Sequence, residues 1–155
     1  MKLIGQYENA YGQRLRDTIR AHGLEDRVEL TGRMAYEQAM TCTAGATVGL
    51  CLLLPLPNNM IGLSTKLLEY MMLGVPVLAS DFDSWRPYVA GEGCGLMVAP
   101  TDMDAVVAAC KHLLTHPVEA ARMGAAGRRA VETKYNWGPE MEGLLGCYEE
   151  LLRAA

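Results

Sequence analysis

The chain has 155 residues, 50% hydrophobic and 21% charged, which suits one globular core and rules out a disordered or fibrous protein. Fourteen Lys and Arg against 18 Asp and Glu leave a formal charge of −4, without the basic footprint of a general nucleic-acid or anionic-membrane binder. The longest apolar run, Ala46 to Leu56, is about half of what a membrane helix needs and contains Pro55, so no transmembrane segment is expected.

Taken in chain order, Lys2 to Gly5 predicts a short strand. A helix follows, with Tyr11, Leu15, Thr18, Ile19 and His22 on one face, stopped at Gly23. Val28 to Leu30 predicts the next strand, closed by Thr31 and Gly32, and a weak helix covers Tyr36 to Thr43. Thr47 to Leu54 is apolar without alternation, the pattern of a strand buried on both faces. Leu56 to Asn59 has loop chemistry. A compact helix runs from Ser64 to Leu73 and ends at Gly74. Val75 to Ala79 predicts a strand with Pro76 at its start. Asp81 to Val89 reads as a loop with one helical turn, and Gly95 to Val98 as the last strand. Thr101 and Asp104 have capping-box spacing for the following helix, Pro117 opens another, and Trp137 to Leu152 forms the last.

Strands alternating with helices predict an α/β domain with a doubly wound parallel sheet, whose ligands sit beyond the carboxyl ends of the strands. The richest loop there is Leu54 to Lys66. Gly62 has no Cβ to keep a ligand from the backbone, Ser64 and Thr65 offer hydroxyls, and Lys66 adds a charge where a helix N-terminus offers free N–H groups. Gly62, Leu63, Ser64, Thr65 and Lys66 therefore suit a phosphate or diphosphate, and Glu69, one turn on, suits the paired hydroxyls of a ribose. The same residues also suit a plain helix start, with Ser64 as cap and Lys66 and Glu69 solvated. Neither a P-loop nor a Gly-x-Gly-x-x-Gly motif is present.

Other residues leave alternatives open. Trp85 and Arg86 follow a strand at the ligand-bearing edge and either approach a sugar or pack under the loop. Asp81 and Asp83 suit the cleft or a turn equally. His112 and His116 are four apart, as two metal ligands on one helix face would be, but no third ligand accompanies them and no metal is expected. Cys42, Cys51, Cys94, Cys110 and Cys147 are odd in number with no Cys-x-x-Cys pair, and the opening Met1-Lys2-Leu3-Ile4 has no signal character. They read as reduced thiols of a cytoplasmic protein.

The run Thr65-Lys66-Leu67-Leu68-Glu69-Tyr70-Met71-Met72-Leu73-Gly74-Val75-Pro76-Val77-Leu78-Ala79-Ser80 strongly resembles the donor-site signature of GT-B retaining glycosyltransferases of family 4. Leu3-Ile4-Gly5, Asp26 to Arg33, Cys94 to Pro100 and Tyr135-Asn136-Trp137 are similar to further landmarks of that family. The resemblance implies a single nucleotide-sugar-binding Rossmann-like domain over 1–155, the C-terminal half of a GT-B fold, with 136–155 a C-terminal helix. It implies that Glu69 binds the donor's ribose, that Gly62 to Lys66 hold its diphosphate, and that Gly32, Arg33 and Met34 lie near the base. The acid that usually contacts the transferred sugar falls here on Ile61, as in a subset of the family rich in Thr-Lys-Leu-x-Glu-Tyr.

By the same resemblance the acceptor-binding domain, and the first strand and helix of this one, would lie upstream of Met1. The expected substrate is a nucleotide diphosphate sugar, with no cofactor. The expected acceptor is a growing polysaccharide or a lipid-linked saccharide, which would bring a cytoplasmic protein to the membrane periphery. The expected activity is glycosyl transfer. A homodimer or a separate subunit would then stand in for the missing strand. The alternatives are a non-catalytic nucleotide-sugar-binding fragment or subunit needing a partner that supplies the acceptor domain and, less favoured by the Thr65 to Tyr70 pattern, a sugar-nucleotide epimerase.

Overall fold

In the computed structural model, which describes residues 1–154, strands and helices alternate along the chain as the apolar periodicity requires. Their order is β1 (Lys2–Ile4), α1 (Ala10–Ala21), β2 (Glu29–Gly32), α2 (Tyr36–Ala44), β3 (Gly49–Cys51), α3 (Pro57–Ile61), α4 (Thr65–Met72), β4 (Val77–Ser80), α5 (Arg86–Val89), β5 (Gly95–Val98), α6 (Met103–Thr115), α7 (Pro117–Thr133) and α8 (Trp137–Ala154). All strand pairs are parallel, but they form two ladders: β1 with β2, and β3-β4-β5. The chain divides into two compact units, Met1–Cys42 and the residues from Thr43 onward.

In the first unit β1 pairs Lys2 with Glu29 and Ile4 with Gly32. The strand expected to close before Thr31 therefore runs through Gly32, whose carbonyl accepts from the Gly5 N–H (3.1 Å). Asn9 caps α1 by accepting from the Gly12 N–H (2.9 Å). The face that α1 buries carries Gly12 and Ile19, while Tyr11, expected on it, is exposed.

The second unit is built around β4. Val77 to Ser80 are all buried, with alternate side chains serving opposite faces. Val77 and Ala79 join Cys51, Leu67, Met71, Trp85 and Val89 in one core cluster. Leu78 joins Leu113, Ala120 and Met123 in another. The sheet is thus covered on both faces, the doubly wound arrangement expected of the sequence. β3 stops at Cys51, three residues short of its expected end. Past Cys51 the buried Ser80 hydroxyl replaces the ladder, accepting from the Leu53 N–H and donating to the Leu53 carbonyl, both at 2.8 Å. The expected loop at Leu56 to Asn59 contains the start of α3, where Pro57 supplies the pre-set φ of a first helical residue. Asp102, not Thr101, caps α6, accepting from the Ala105 N–H (3.0 Å).

At the amino end of β4, Gly74 takes the left-handed conformation (φ +69°) that ends α4. A Cβ on Gly124 of α7 would lie 2.0 Å from the Gly74 carbonyl, so the two backbones meet where only glycine fits. Nearby, Glu92 accepts from Lys134 (2.8 Å) and from the Tyr135 hydroxyl (2.8 Å). The Lys134 hydrogen bond, then that of Tyr135, holds the Glu92 carboxyl below its ordinary range. A depressed carboxyl stabilises the fold above its unfolded pKa, and that contribution fades as pH falls through the folded value. Burial pushes the Cys94 thiol up to about 11 and is the main cause that pushes the Tyr135 phenol up to about 12. Every cysteine is free. No helix among the described residues is long and apolar enough to cross a membrane.

Candidate functional site

The carboxyl edge of the three-stranded sheet receives the segment from Leu52 to Ser64, then α4. Leu63 packs against the core, and the buried Leu67 and Met71 anchor α4, leaving Thr65 and Lys66 exposed and Glu69 half-buried. Ser64 is the N-cap residue by position, yet its side chain makes no capping hydrogen bond. Burial raises the pKa of the Cys51 thiol, while Ser64 and then the Lys66 charge act in the opposite direction. The first internal bond of the helix end runs from the Leu67 N–H to the Ser64 carbonyl (3.0 Å). Upstream of it, the N–H groups of Leu63, Ser64, Thr65 and Lys66 have no partner among the described residues. Four consecutive unsatisfied donors at the positive end of a helix dipole form an anion seat.

Lys66 and Glu69 are three residues apart on this helix, a spacing that permits an ion pair, but neither side chain is paired among the described residues. A cation and an anion, both uncommitted, thus stand one turn apart beside the free N–H groups. Phosphate oxygens match the first and vicinal hydroxyls the second.

Gly62 stands at the edge of this seat. Its N–H is committed to the Asn58 carbonyl (3.0 Å), ending α3, and its carbonyl accepts from the Trp85 indole (2.7 Å). It therefore offers a ligand neither group, and the donor run begins at Leu63. Trp85 is fully buried, so of its two sequence readings the structure has the packing one. Arg86 bridges Asp81 (2.7 Å) and Asp83 (3.2 Å), which accounts for all three residues as a local clasp. The Ser84 hydroxyl donates to the Met60 carbonyl (2.5 Å) across 24 residues, and no sequence spacing announces that contact. Ile61, where the resemblance places an acid, is 80% exposed.

Gly32, Arg33 and Met34 lie in the first unit. Gly32 ends β2 with φ +73°, Arg33 is exposed and Met34 is half-buried. His112 and His116 stack with ring centroids 4.1 Å apart, and His112 Nε2 lies 2.9 Å from Glu119 Oε2. No group of three metal-ligating side chains occurs among the described residues.

The sequence profile of the family described as glycosyl transferases group 1 matches residues 1–116. The chain belongs to that family. It is 30% identical over 131 residues to a GDP-mannose-dependent monoacylated alpha-(1-6)-phosphatidylinositol monomannoside mannosyltransferase of Corynebacterium glutamicum, covering 80% of this chain and 33% of the relative. It is 28% identical over 137 residues to an alpha-D-kanosaminyltransferase of Streptomyces kanamyceticus, covering 88% and 34%. The group 1 chain thus spans about a third of the length of these curated relatives. Among solved structures it is similar to sucrose-phosphate synthase from Thermosynechococcus elongatus, with a TM-score of 0.82, 26% identity, and 99% and 39% of the two chains covered. Anabaena HepE in complex with UDP shares the fold at a TM-score of 0.80 and 17% identity, with 96% and 40% covered. The fold is that of a GT-B glycosyltransferase domain, as the sequence led us to expect.

Proposed function

We propose that this group 1 chain is the donor-binding domain of a glycosyltransferase that moves a sugar from a nucleotide diphosphate sugar to a saccharide or lipid-linked acceptor. The observation that carries the reading is the run of free N–H groups from Leu63 to Lys66, with unpaired Lys66 and Glu69 alongside. In this reading the diphosphate lies on those donors and on Lys66, and the ribose hydroxyls donate to Glu69. In the reaction the bond from the sugar's anomeric carbon to the diphosphate oxygen breaks, a bond from the same carbon to an acceptor hydroxyl oxygen forms, and the hydroxyl proton leaves with the departing diphosphate. Negative charge then grows on the departing diphosphate, where fixed N–H dipoles and an ammonium stabilise it without reorganising. The rest of the work is positioning, and no side-chain nucleophile, metal or cofactor enters. Relatives named as GDP-mannose-dependent mannosyltransferases and a neighbour solved with UDP support the substrate class.

A second reading, a binding subunit that is catalytic only with an acceptor-domain partner, is favoured by α8. Its residues 137–153 are all exposed, Trp137, Leu144, Leu145, Tyr148 and Leu151 among them. The deciding experiment is a thermal-shift series with UDP, GDP, ADP and their sugar conjugates. A rise in melting midpoint with one base supports donor binding, and turnover of the conjugate by the chain alone separates the enzyme from the subunit. A folded sample that responds to none of them overturns both.

A further inference from the structure

The segment leaving β4 grips the loop that leaves β3 at three places. The buried Ser80 hydroxyl holds both backbone groups of Leu53 (2.8 Å each), the Ser84 hydroxyl holds the Met60 carbonyl (2.5 Å), and the Trp85 indole N–H holds the Gly62 carbonyl (2.7 Å). Within the loop itself only short-range bonds are available, such as Asn59 Nδ2 to the Leu54 carbonyl (3.0 Å). The path from Leu53 to Ser64 is therefore set largely by residues 80–85.

The gripping segment is rigid in turn. The Trp85 ring is fully buried and stands edge-on to Phe82 with centroids 5.1 Å apart. The Trp85 backbone N–H closes a tight turn onto the Phe82 carbonyl (2.9 Å). Arg86 ties the start and middle of the segment together through Asp81 and Asp83.

The third grip has a geometric consequence. The Gly62 carbonyl and the Leu63 N–H belong to one planar trans peptide, so they point in opposite directions. A donor that fixes the carbonyl also aims the N–H. Leu63 is the first of the four free donors, so the Trp85 indole aims the leading edge of the anion seat without facing the anion itself.

We propose that Trp85, assisted by Ser84, is a positioning residue that orients the Leu63 end of the anion seat toward the donor's diphosphate. This role rests on the donor-binding function proposed above. It confines the effect of Trp85 to the phosphates, since neither the ribose partner Glu69 nor the Gly32 to Met34 segment is hydrogen-bonded to it.

The test is Trp85→Phe, which keeps an aromatic ring in the core while removing the N–H donor along with part of the indole's volume. GDP and UDP are titrated calorimetrically, with GMP and UMP as controls lacking the second phosphate, and backbone amide order parameters are measured without ligand. The expected result is roughly five- to tenfold weaker binding of the nucleoside diphosphate. Monophosphate affinity should stay unchanged, and order parameters should fall at Leu63 and Ser64 but not in β4 or α7. Ser84→Ala should shift the same quantities less, and Ser84→Thr, which keeps the hydroxyl, should restore them.

Unchanged diphosphate affinity and unchanged order parameters in Trp85→Phe would overturn the inference and leave donor binding intact. An equal loss for mono- and diphosphates would also overturn it, by making Trp85 a purely structural residue. If Trp85→Phe does not fold, Ser84→Ala decides alone, and wild-type diphosphate binding in that variant overturns the inference. A wild-type chain that binds no nucleotide overturns the proposed function, and this inference with it.

Discussion

Helices α6 and α4 both begin at the carboxyl edge of the three-stranded sheet, and they begin differently. α6, after β5, is finished from within: Asp102 accepts from the Ala105 N–H, and Asp104 adds a carboxylate to the first turn. α4, after β3, has no capping side chain, no acid in its first turn and a lysine as its second residue. The macrodipole has the same sense at both ends, so both helix starts attract negative charge. The chain supplies that charge to α6 and withholds it from α4, and Lys66 deepens the deficit. A helix start left in this condition keeps its first N–H groups open to water or to an anion, and that opening is what the donor-binding proposal uses.

The largest effect expected from breaking this contrast is at Glu69. Glu69→Ala should weaken nucleoside diphosphate binding by about 1.5–3 kcal/mol, the range for hydrogen bonds to a charged group. The melting midpoint of the free chain should change little, because no hydrogen bond or ion pair within the described fold is lost. Calorimetric titration beside a thermal melt reads both. Asp102→Ala should do the reverse at α6, costing about 1 kcal/mol of stability through its lost cap. Nucleotide affinity should be unchanged, and urea unfolding gives the comparison. The smallest effect is a sharpening one. Ser64→Asp gives α4 the cap that α6 already has and should stabilise the free chain by about 0.5 kcal/mol. The new carboxylate should also weaken diphosphate binding, since it occupies the donors that the ligand needs. A variant that gained stability without losing affinity would place the ligand elsewhere.

Much of this contrast was legible in the sequence. The Gly62 to Glu69 segment marks a loop entering a helix, the Ser64 to Leu73 pattern nearly matches α4, and the strand at Gly95 to Val98 has its expected bounds. What was not legible depends on contacts distant in sequence. Ser64 is a strong capping residue by type, yet its side chain makes no capping bond, and the sequence pattern carries no signal of that. Gly62 looks like a free backbone donor until Asn58 and Trp85 occupy its two groups. The early end of β3 follows from a side-chain hydroxyl on another strand, and apolar periodicity carries no signal of that. The split into two ladders is a matter of which strands pair, again invisible to a local pattern.

The two tryptophans occupy opposite surroundings: Trp85 is wholly enclosed, and Trp137, at the start of α8, is 73% exposed. An 18-residue helix whose side chains at 137–153 are all exposed is close to the marginal length for helices in water, so α8 and the core need not melt together. Intrinsic fluorescence therefore contains two independent thermometers. Acrylamide should extinguish the red-shifted emission of Trp137 first and leave the blue-shifted emission of Trp85, so that one optical sample reports the unfolding of the helix and of the core separately.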